Sequence, residues 1–258
     1  MVFVEHHLNL NFNKCFSISF GRSISFDFEY QLADDIFCQK TEAITDLGVI
    51  VEQKLNFNDH ISSVVSKANR SWGFIQRHTG SFDSNTTRML YFSFVKSTIM
   101  YASNIWRPVF DCAMEIAQRL ERVNHRAIRY LAYKSGTPMD KYDHDYTNMA
   151  KKLNIPTIES SMKVSDVVFT HRVMNGEINS PPPLYDLYPI NKLNSYPLRC
   201  NLPFKGVTIK SKYLEGEMIQ RSSTLYNKCY IKIPNILKSS SKITTIAYHV
   251  KKTLHEYG

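Results

Sequence analysis

The run DLGVIVEQKLNFNDHI, residues 46–61, constrains the fold more than any other stretch, because it takes the chain from strand to helix without a linker. Leu47, Val49 and Val51 alternate with Gly48, Ile50 and Glu52, so one face of the predicted strand is apolar throughout. The other face opens on bare backbone at Gly48, where another chain or a ligand can approach closely. Asn58 is the predicted N-cap, its side-chain oxygen accepting from the free N–H groups of the helix's first turn. Upstream of this junction the apolar residues recur with period two. Downstream they recur at helical spacing.

Upstream, Phe16, Ile18 and Phe20 share one strand face, Gly21-Arg22-Ser23 can turn the chain, and Ile24, Phe26 and Phe28 alternate again. This pattern predicts an antiparallel hairpin. Gln31 to Ile36, with Asp34 and Asp35 adjacent, reads as a polar hairpin turn. Downstream, Ile61, Val64, Val65, Ala68, Trp72 and Ile75 follow one helix face from His60 to His78, with Lys67, Arg70 and Arg77 away from it. A second helix is predicted over 85–105, capped by Ser84, with Leu90, Phe94, Thr98, Tyr101 and Ile105 on its packing side. Aromatic residues at such spacing, including Tyr91, Tyr101 and Trp106, are assigned to packing.

The third helix, Ala113 to Tyr133 with Asp111 as its cap, carries the clearest binding signal. Ile116, Leu120, Val123, Ala127 and Leu131 make an apolar face, and Arg119, Arg122, Arg126 and Arg129 form a stripe beside it. Stacked guanidinium groups repel one another unless neutralised, and Glu115 and Glu121 are the acidic neighbours on the same helix. The stripe is either a solvated face or a set of phosphate contacts, for which arginine forks are well suited.

Charge follows the same division. Residues 1–58 hold 4 Lys/Arg against 8 Asp/Glu, residues 59–134 hold 11 against 5, and residues 135–258 hold 17 against 10. The net charge of +9 therefore resides in the helical part, which suits a polyanionic partner. Five widely spaced cysteines without a Cys-x-x-Cys pair argue against a zinc site and for free thiols in a reducing, intracellular compartment, cytoplasm or nucleus. No apolar run approaches the ~20 residues that span a bilayer. Asp143, His144 and Asp145 have no partner ligands at suitable spacing, so no metal site is expected.

Beyond Ser135, the Gly136-Thr137-Pro138 break precedes a short helix ending near Leu153 and another over 160–175, stopped by Gly176. Pro181-Pro182-Pro183 enforces extended chain. The following 50 or so residues are predicted as loop and short strand, with Arg221 and Asn227 the polar positions of interest, and a last helix runs over 242–257.

Taken together and in order, DLGVIVEQKLNFNDHI, KANRSWGFIQR, LYFSFVKSTIMYASNIWRP and ERVNHRAIRYL resemble the region downstream of the catalytic box in reverse transcriptases of LINE-type (non-LTR), jockey-like retrotransposons. VVFTHRVMNGEINSPPPLYDL and MIQRSSTLYN resemble segments of that family's C-terminal extension, so the likeness spans roughly residues 8–230. The resemblance implies an α+β, mostly helical chain in three parts. These are a palm-remnant antiparallel hairpin sheet with a primer-grip-like turn (1–58), a helical thumb-like bundle (59–134) and a loop-rich C-terminal extension (135–258). It implies that Leu47, Gly48 and Val49 touch the primer backbone, and that Lys67, Arg70, Arg77 and the four stripe arginines face an RNA/DNA template–primer duplex. Lys14, in LNLNFNKC, corresponds to a candidate proton donor for the pyrophosphate leaving group.

Ala33-Asp34-Asp35 imitates the family's catalytic box, but Leu32 stands where an aromatic is usual and the Lys14 segment precedes the pair instead of following it. On this reading the chain starts beyond the catalytic aspartates and is not expected to synthesise DNA alone. Magnesium belongs to the intact polymerase, whose palm is a further candidate partner. The chain itself is expected to hold no cofactor, membrane anchor or small-molecule substrate. The competing expectation is a decayed or domesticated interaction module without specific nucleic-acid binding.

Overall fold

The computed structural model describes residues 11–20, 29–33, 36–108, 114–140, 142, 145–178, 184, 186–191, 202–205, 217–238 and 242–255. They are mostly helical, with a few two- to four-residue strands in separate small sheets, an α+β composition. The chain divides into compact units of residues 1–63 and 64–258.

In the first unit the strands are β1 (Phe16–Ser17), β2 (Gln31–Ala33), β3 (Ile36–Phe37), β4 (Gln39–Lys40), β5 (Ala43–Asp46) and β6 (Val49–Glu52). β1 pairs in parallel with β4, Phe16 opposite Gln39. The predicted hairpin's turn and second strand, 21–28, lie outside the described residues. β2 and β3 do pair antiparallel about positions 34 and 35, which also lie outside them.

The longest pairing is β5 with β6, Ile44 opposite Val51 and Asp46 opposite Val49. The strand predicted from residue 46 is thereby corrected, since Leu47 and Gly48 are the hairpin's two-residue turn, at φ 45° and 84°. Both central residues of such a turn must take positive φ for its twist to match the strands, and glycine does so without Cβ strain. Leu47 points to solvent and Val49 is buried.

The first helix, α1 (Asn58–His78), is where the sequence puts it, but Asn58 is its first residue and not its cap. The Phe57 carbonyl accepts from Ile61 N–H at 2.9 Å, Asn56 Oδ1 from Asn58 N–H and Glu52 Oε1 from Asp59 N–H. The orphan donors of the first turn are met from β6 and from the connecting loop.

In the second unit Trp72 of α1 is the central side chain. It is 2% exposed and takes Tyr91 and Tyr130 edge-on, with centroids at 5.7 and 5.6 Å. Val64, Val65, Ala68 and Ile75 complete the buried face of α1 in this unit. Tyr91 belongs to an irregular second helix: α2 (Ser84–Leu90), a π-helical stretch Tyr91–Lys96, α3 (Ser97–Met100) and, after a turn with Ala102 at φ 50°, α4 (Ser103–Trp106).

Asp83, not Ser84, caps α2, accepting from Asn85 and Thr86 N–H. The predicted packing side is also corrected, because Thr87, Tyr91, Val95 and Ile99 are buried while Phe94, Tyr101 and Ile105 are exposed. A strict four-residue repeat drifts around a 3.6-residue helix and stays on one side only if the helix is underwound, which the π stretch accomplishes. Trp106 is buried and donates from Nε1 to the Tyr101 carbonyl at 2.9 Å.

The third helix, α5 (Met114–Lys134), buries Leu120, Val123, Ala127 and Leu131 as expected, and also Asn124, Ile128 and Ala132. The predicted cap, Asp111, lies outside the described residues. α6 (Tyr146–Lys152) is capped by Asp145, and α7 (Ile158–Met174) by Thr157, ending at Gly176 with φ 69°.

The predicted loop region is corrected by α8 (Met218–Lys232) and α9 (Pro234–Lys238); the chain then closes on α10 (Ile243–His255). α8 escaped the sequence pattern because its inner face is built partly of polar residues, Arg221, Ser222 and Ser223, which the packing buries. α7, α8 and α10 share an apolar cluster that includes Val167, Val173, Tyr226, Cys229, Ile246 and Val250.

Burial of Arg221 is made possible by Asp166 of α7, which is 1% exposed. Asp166 Oδ2 accepts from Arg107 Nη1 at 2.5 Å and from Arg221 Nε at 3.2 Å, and Arg221 also donates to the Asn104 carbonyl. Burial pushes the Asp166 carboxyl up, and the two guanidinium groups oppose that shift. Asn227, the other polar position of interest, clamps both backbone groups of Phe204, at 3.2 and 2.9 Å. Replacing Asp166 by alanine removes the carboxylate that the two buried guanidinium groups share. Urea denaturation is expected to show a loss of about 3–5 kcal/mol for Asp166→Ala.

Candidate nucleic-acid interface

Within residues 64–258, the aligned contacts of α1 and α5 make them parallel neighbours. Arg126 Nη1 donates to Asn69 Oδ1 at 2.9 Å, Trp72 meets Tyr130, the Tyr130 hydroxyl donates to the Gln76 carbonyl, and Lys134 reaches the end of α1. The arginine stripe is divided by this packing. Arg126 leans toward α1, whereas Arg129 turns to α6, donating to the Tyr146 hydroxyl at 2.9 Å with its guanidinium 5.6 Å from that ring's centre. Tyr146 is stacked on His125 at 3.9 Å, so Arg129 belongs to a structural cluster. Arg122 and Arg126 are exposed and Arg119 is half-buried.

Glu121 does not neutralise the stripe. Its Oε1 accepts from Asn124 Nδ2 at 2.6 Å and its Oε2 from the Ile158 N–H at 2.9 Å, so the carboxylate faces inward. The Asn124 Oδ1 in turn accepts from the buried Tyr91 hydroxyl at 2.6 Å. Burial and the nearby Glu121 charge raise the Tyr91 pKa. On α1, Lys67, Arg70 and Arg77 are exposed. Among the described residues, no carboxylate forms an ion pair with these three or with Arg122 or Arg126.

Several other cations are committed to the interior. Lys134 Nζ donates to the carbonyls of Thr79, Gly80 and Phe82, closing the C-terminal end of α1. Arg88 donates to the Leu153 carbonyl at 3.3 Å. Lys96, 6% exposed, donates to the Pro156 carbonyl at 2.9 Å and lies 5.3 Å from the Phe92 ring centre. The sequence marked neither Lys134 nor Lys96 as structural. The available signal was position: Lys134 ends its helix, and Lys96 falls on the buried side of an underwound one.

In the first unit, Lys14 is exposed at the end of a 3-10 turn, Phe12–Lys14. Leu47 and Gly48 present an exposed turn, whereas the Val49 side chain is 5% exposed and serves the core. Among the described residues no group of His, Cys, Asp and Glu is arranged to hold a metal ion, and no helix is long and apolar enough to cross a membrane. Positions 143 and 144 lie outside them. Cys15, Cys38 and Cys229 are free thiols, and burial pushes Cys229 up to about 11.

No protein-family model, curated protein or solved structure matches this chain.

Burial lowers the Lys96 amine to about 7, against the raising influence of Glu121. The unfolded chain, with an ordinary lysine, holds that proton more tightly, so stability is expected to rise with pH between about 7 and 10.5. The slope contributed by one such group approaches about 1.4 kcal/mol per pH unit. Denaturant midpoints measured across this range should rise more steeply for the native chain than for Lys96→Met.

Proposed function

We propose that α1 and α5 hold a template–primer duplex by its phosphates, as the thumb-like part of a LINE-type retrotransposon reverse transcriptase downstream of its catalytic centre. The carrying observation is electrostatic. Lys67, Arg70, Arg77, Arg122 and Arg126 are exposed without a carboxylate partner among the described residues, while Glu121 is engaged by Asn124 and the Ile158 N–H. Unneutralised guanidinium groups on rigid neighbouring helices favour phosphate oxygens and require no base-specific contact. In the first unit, the exposed Leu47-Gly48 turn is the candidate primer contact, since the bare backbone at Gly48 lets phosphate approach. Phosphoryl transfer is assigned to the family's catalytic aspartates, and this chain alone is proposed not to extend a primer. Exposed Phe94, Tyr101 and Ile105 favour a second reading, a protein-interaction module whose basic residues serve solubility.

Binding of a labelled RNA/DNA primer–template is expected to weaken linearly in log–log form as salt rises. Arg122→Gln combined with Arg126→Gln should reduce the magnitude of that slope by about 2, near 0.9 per phosphate on duplex DNA. Salt-independent binding, or a double variant with an unchanged slope, would rule out the phosphate-holding role. Nucleotide incorporation by the purified chain with magnesium and dNTPs would overturn its assignment as non-catalytic.

A further inference from the structure

A cavity of about 850 Å³ opens among residues of α5, α6, α7, α8 and α10. That size lies within the range of small-molecule sites, roughly 300–1,000 Å³. Its floor is apolar, made by Ile128, Ile155, Leu225 and Leu254. Five lysines line it as well, Lys151, Lys163, Lys228, Lys232 and Lys251, against two carboxylates, Glu121 and Glu159.

The two carboxylates balance that charge only in part: Glu159 neutralises Lys163 at 2.7 Å, Glu121 accepts from Asn124 and the Ile158 N–H, and Lys251 donates to Asn154 Oδ1 at 3.3 Å, which leaves an excess of lysine over carboxylate around the cavity. A fourth element is the Ser160 hydroxyl, in the first turn of α7, whose buried Oγ has no hydrogen-bond partner although Ser160 lines the cavity. A buried hydroxyl left unpaired costs free energy, and an incoming acceptor would relieve that cost. Ser160 and Lys251 also line a second crevice, of about 240 Å³, so they stand where the two spaces meet.

We infer that this cavity is a binding site for an anionic amphiphile, a linear hydrocarbon chain ending in a carboxylate or a phosphate. The apolar floor accepts the chain, because burying each CH₂ is favourable by about 0.8 kcal/mol. Lysine ammonium groups and the Ser160 hydroxyl accept the head. Lysines suit this task because a mobile point charge can meet either head group without a fixed fork geometry. A free inorganic anion would leave the floor in water, and a neutral chain would gain nothing from the excess of lysine over carboxylate around the cavity. The site is independent of the proposed duplex contact, since none of the exposed arginines on α1 or α5 lines it.

Isothermal titration of the full chain with sub-micellar decanoate, decyl phosphate, decanol and inorganic phosphate tests the assignment. Saturable binding of decanoate, decyl phosphate or both is expected, and comparing the two identifies the preferred head. Decanol and inorganic phosphate should each bind at least tenfold more weakly. Lys228→Glu combined with Lys251→Glu should weaken the anionic chains at least tenfold, while Arg122→Gln with Arg126→Gln leaves them unchanged. Amide shifts in a ¹H–¹⁵N spectrum of the native chain, centred on Ala150, Ile155 and Leu225, would place the ligand without any substitution. Decanol binding as tightly as decanoate, phosphate binding as tightly as decyl phosphate, no binding at all, or shifts confined to other residues would each overturn the proposal.

Discussion

The packing of residues 64–258 depends on one buried polar chain, in which Tyr91 donates to Asn124, Asn124 to Glu121, and the Ile158 backbone N–H to the same carboxylate. It connects the π-helical stretch, α5 and the start of α7 through side chains that water reaches poorly. In a low-dielectric interior such bonds strengthen one another, and an incomplete chain costs far more than an apolar substitute. Asn124 uses its amide as both donor and acceptor, which is why neither Tyr91 nor Glu121 is stranded. The carboxylate also supplies an acceptor to an orphan donor at the first turn of α7, where negative charge is favoured by the helix dipole.

That same chain shapes the electrostatics of the surface. By drawing Glu121 inward, it leaves Arg122 and Arg126 without the neutralising neighbour that their helix provides in sequence. Other cations move the opposite way, into the structure. Lys134 closes α1, Lys96 sits beside Phe92 and Pro156, and Arg107 with Arg221 encloses Asp166. A basic excess counted along the chain therefore overstates the charge available to a partner. On α1 and α5 the exposed cations are Lys67, Arg70, Arg77, Arg122 and Arg126. The proposed duplex contact rests on those groups, and the lysine-lined cavity depends on a separate set.

Where sequence reading succeeded, local physics was sufficient. α1, α5 and α10 present apolar residues at helical spacing, and Gly176 ends α7 because a left-handed residue is needed there. Where it failed, the deciding contact was remote or the local rule had two answers. Leu47 extends the alternation of Val49 and Val51, so nothing in the pattern distinguishes a strand residue from a turn residue. Pairing of β5 with β6 decides it, because the turn must have two residues of positive φ. The π stretch reversed the sides of the second helix because the 87-91-95-99 repeat competes with a 3.6-residue alternative. Burial of Tyr91 against Trp72 selects the former. α8 was missed because Arg221 is an unlikely inward residue until Asp166 is placed beside it.

By itself the amino-acid sequence determined the helical, α+β character of the chain, its apolar helix faces and the concentration of positive charge after residue 58. These follow from side-chain periodicity and formal charge, which act locally and are read without knowing neighbours. Tertiary structure alone decided which cations are spent inside and which are shown to solvent, that β1 pairs with β4, and that the apolar residues of five helices leave a lysine-lined cavity between them. Each of those depends on desolvation or on pairing between residues far apart in the chain, and neither quantity is defined until the elements have packed.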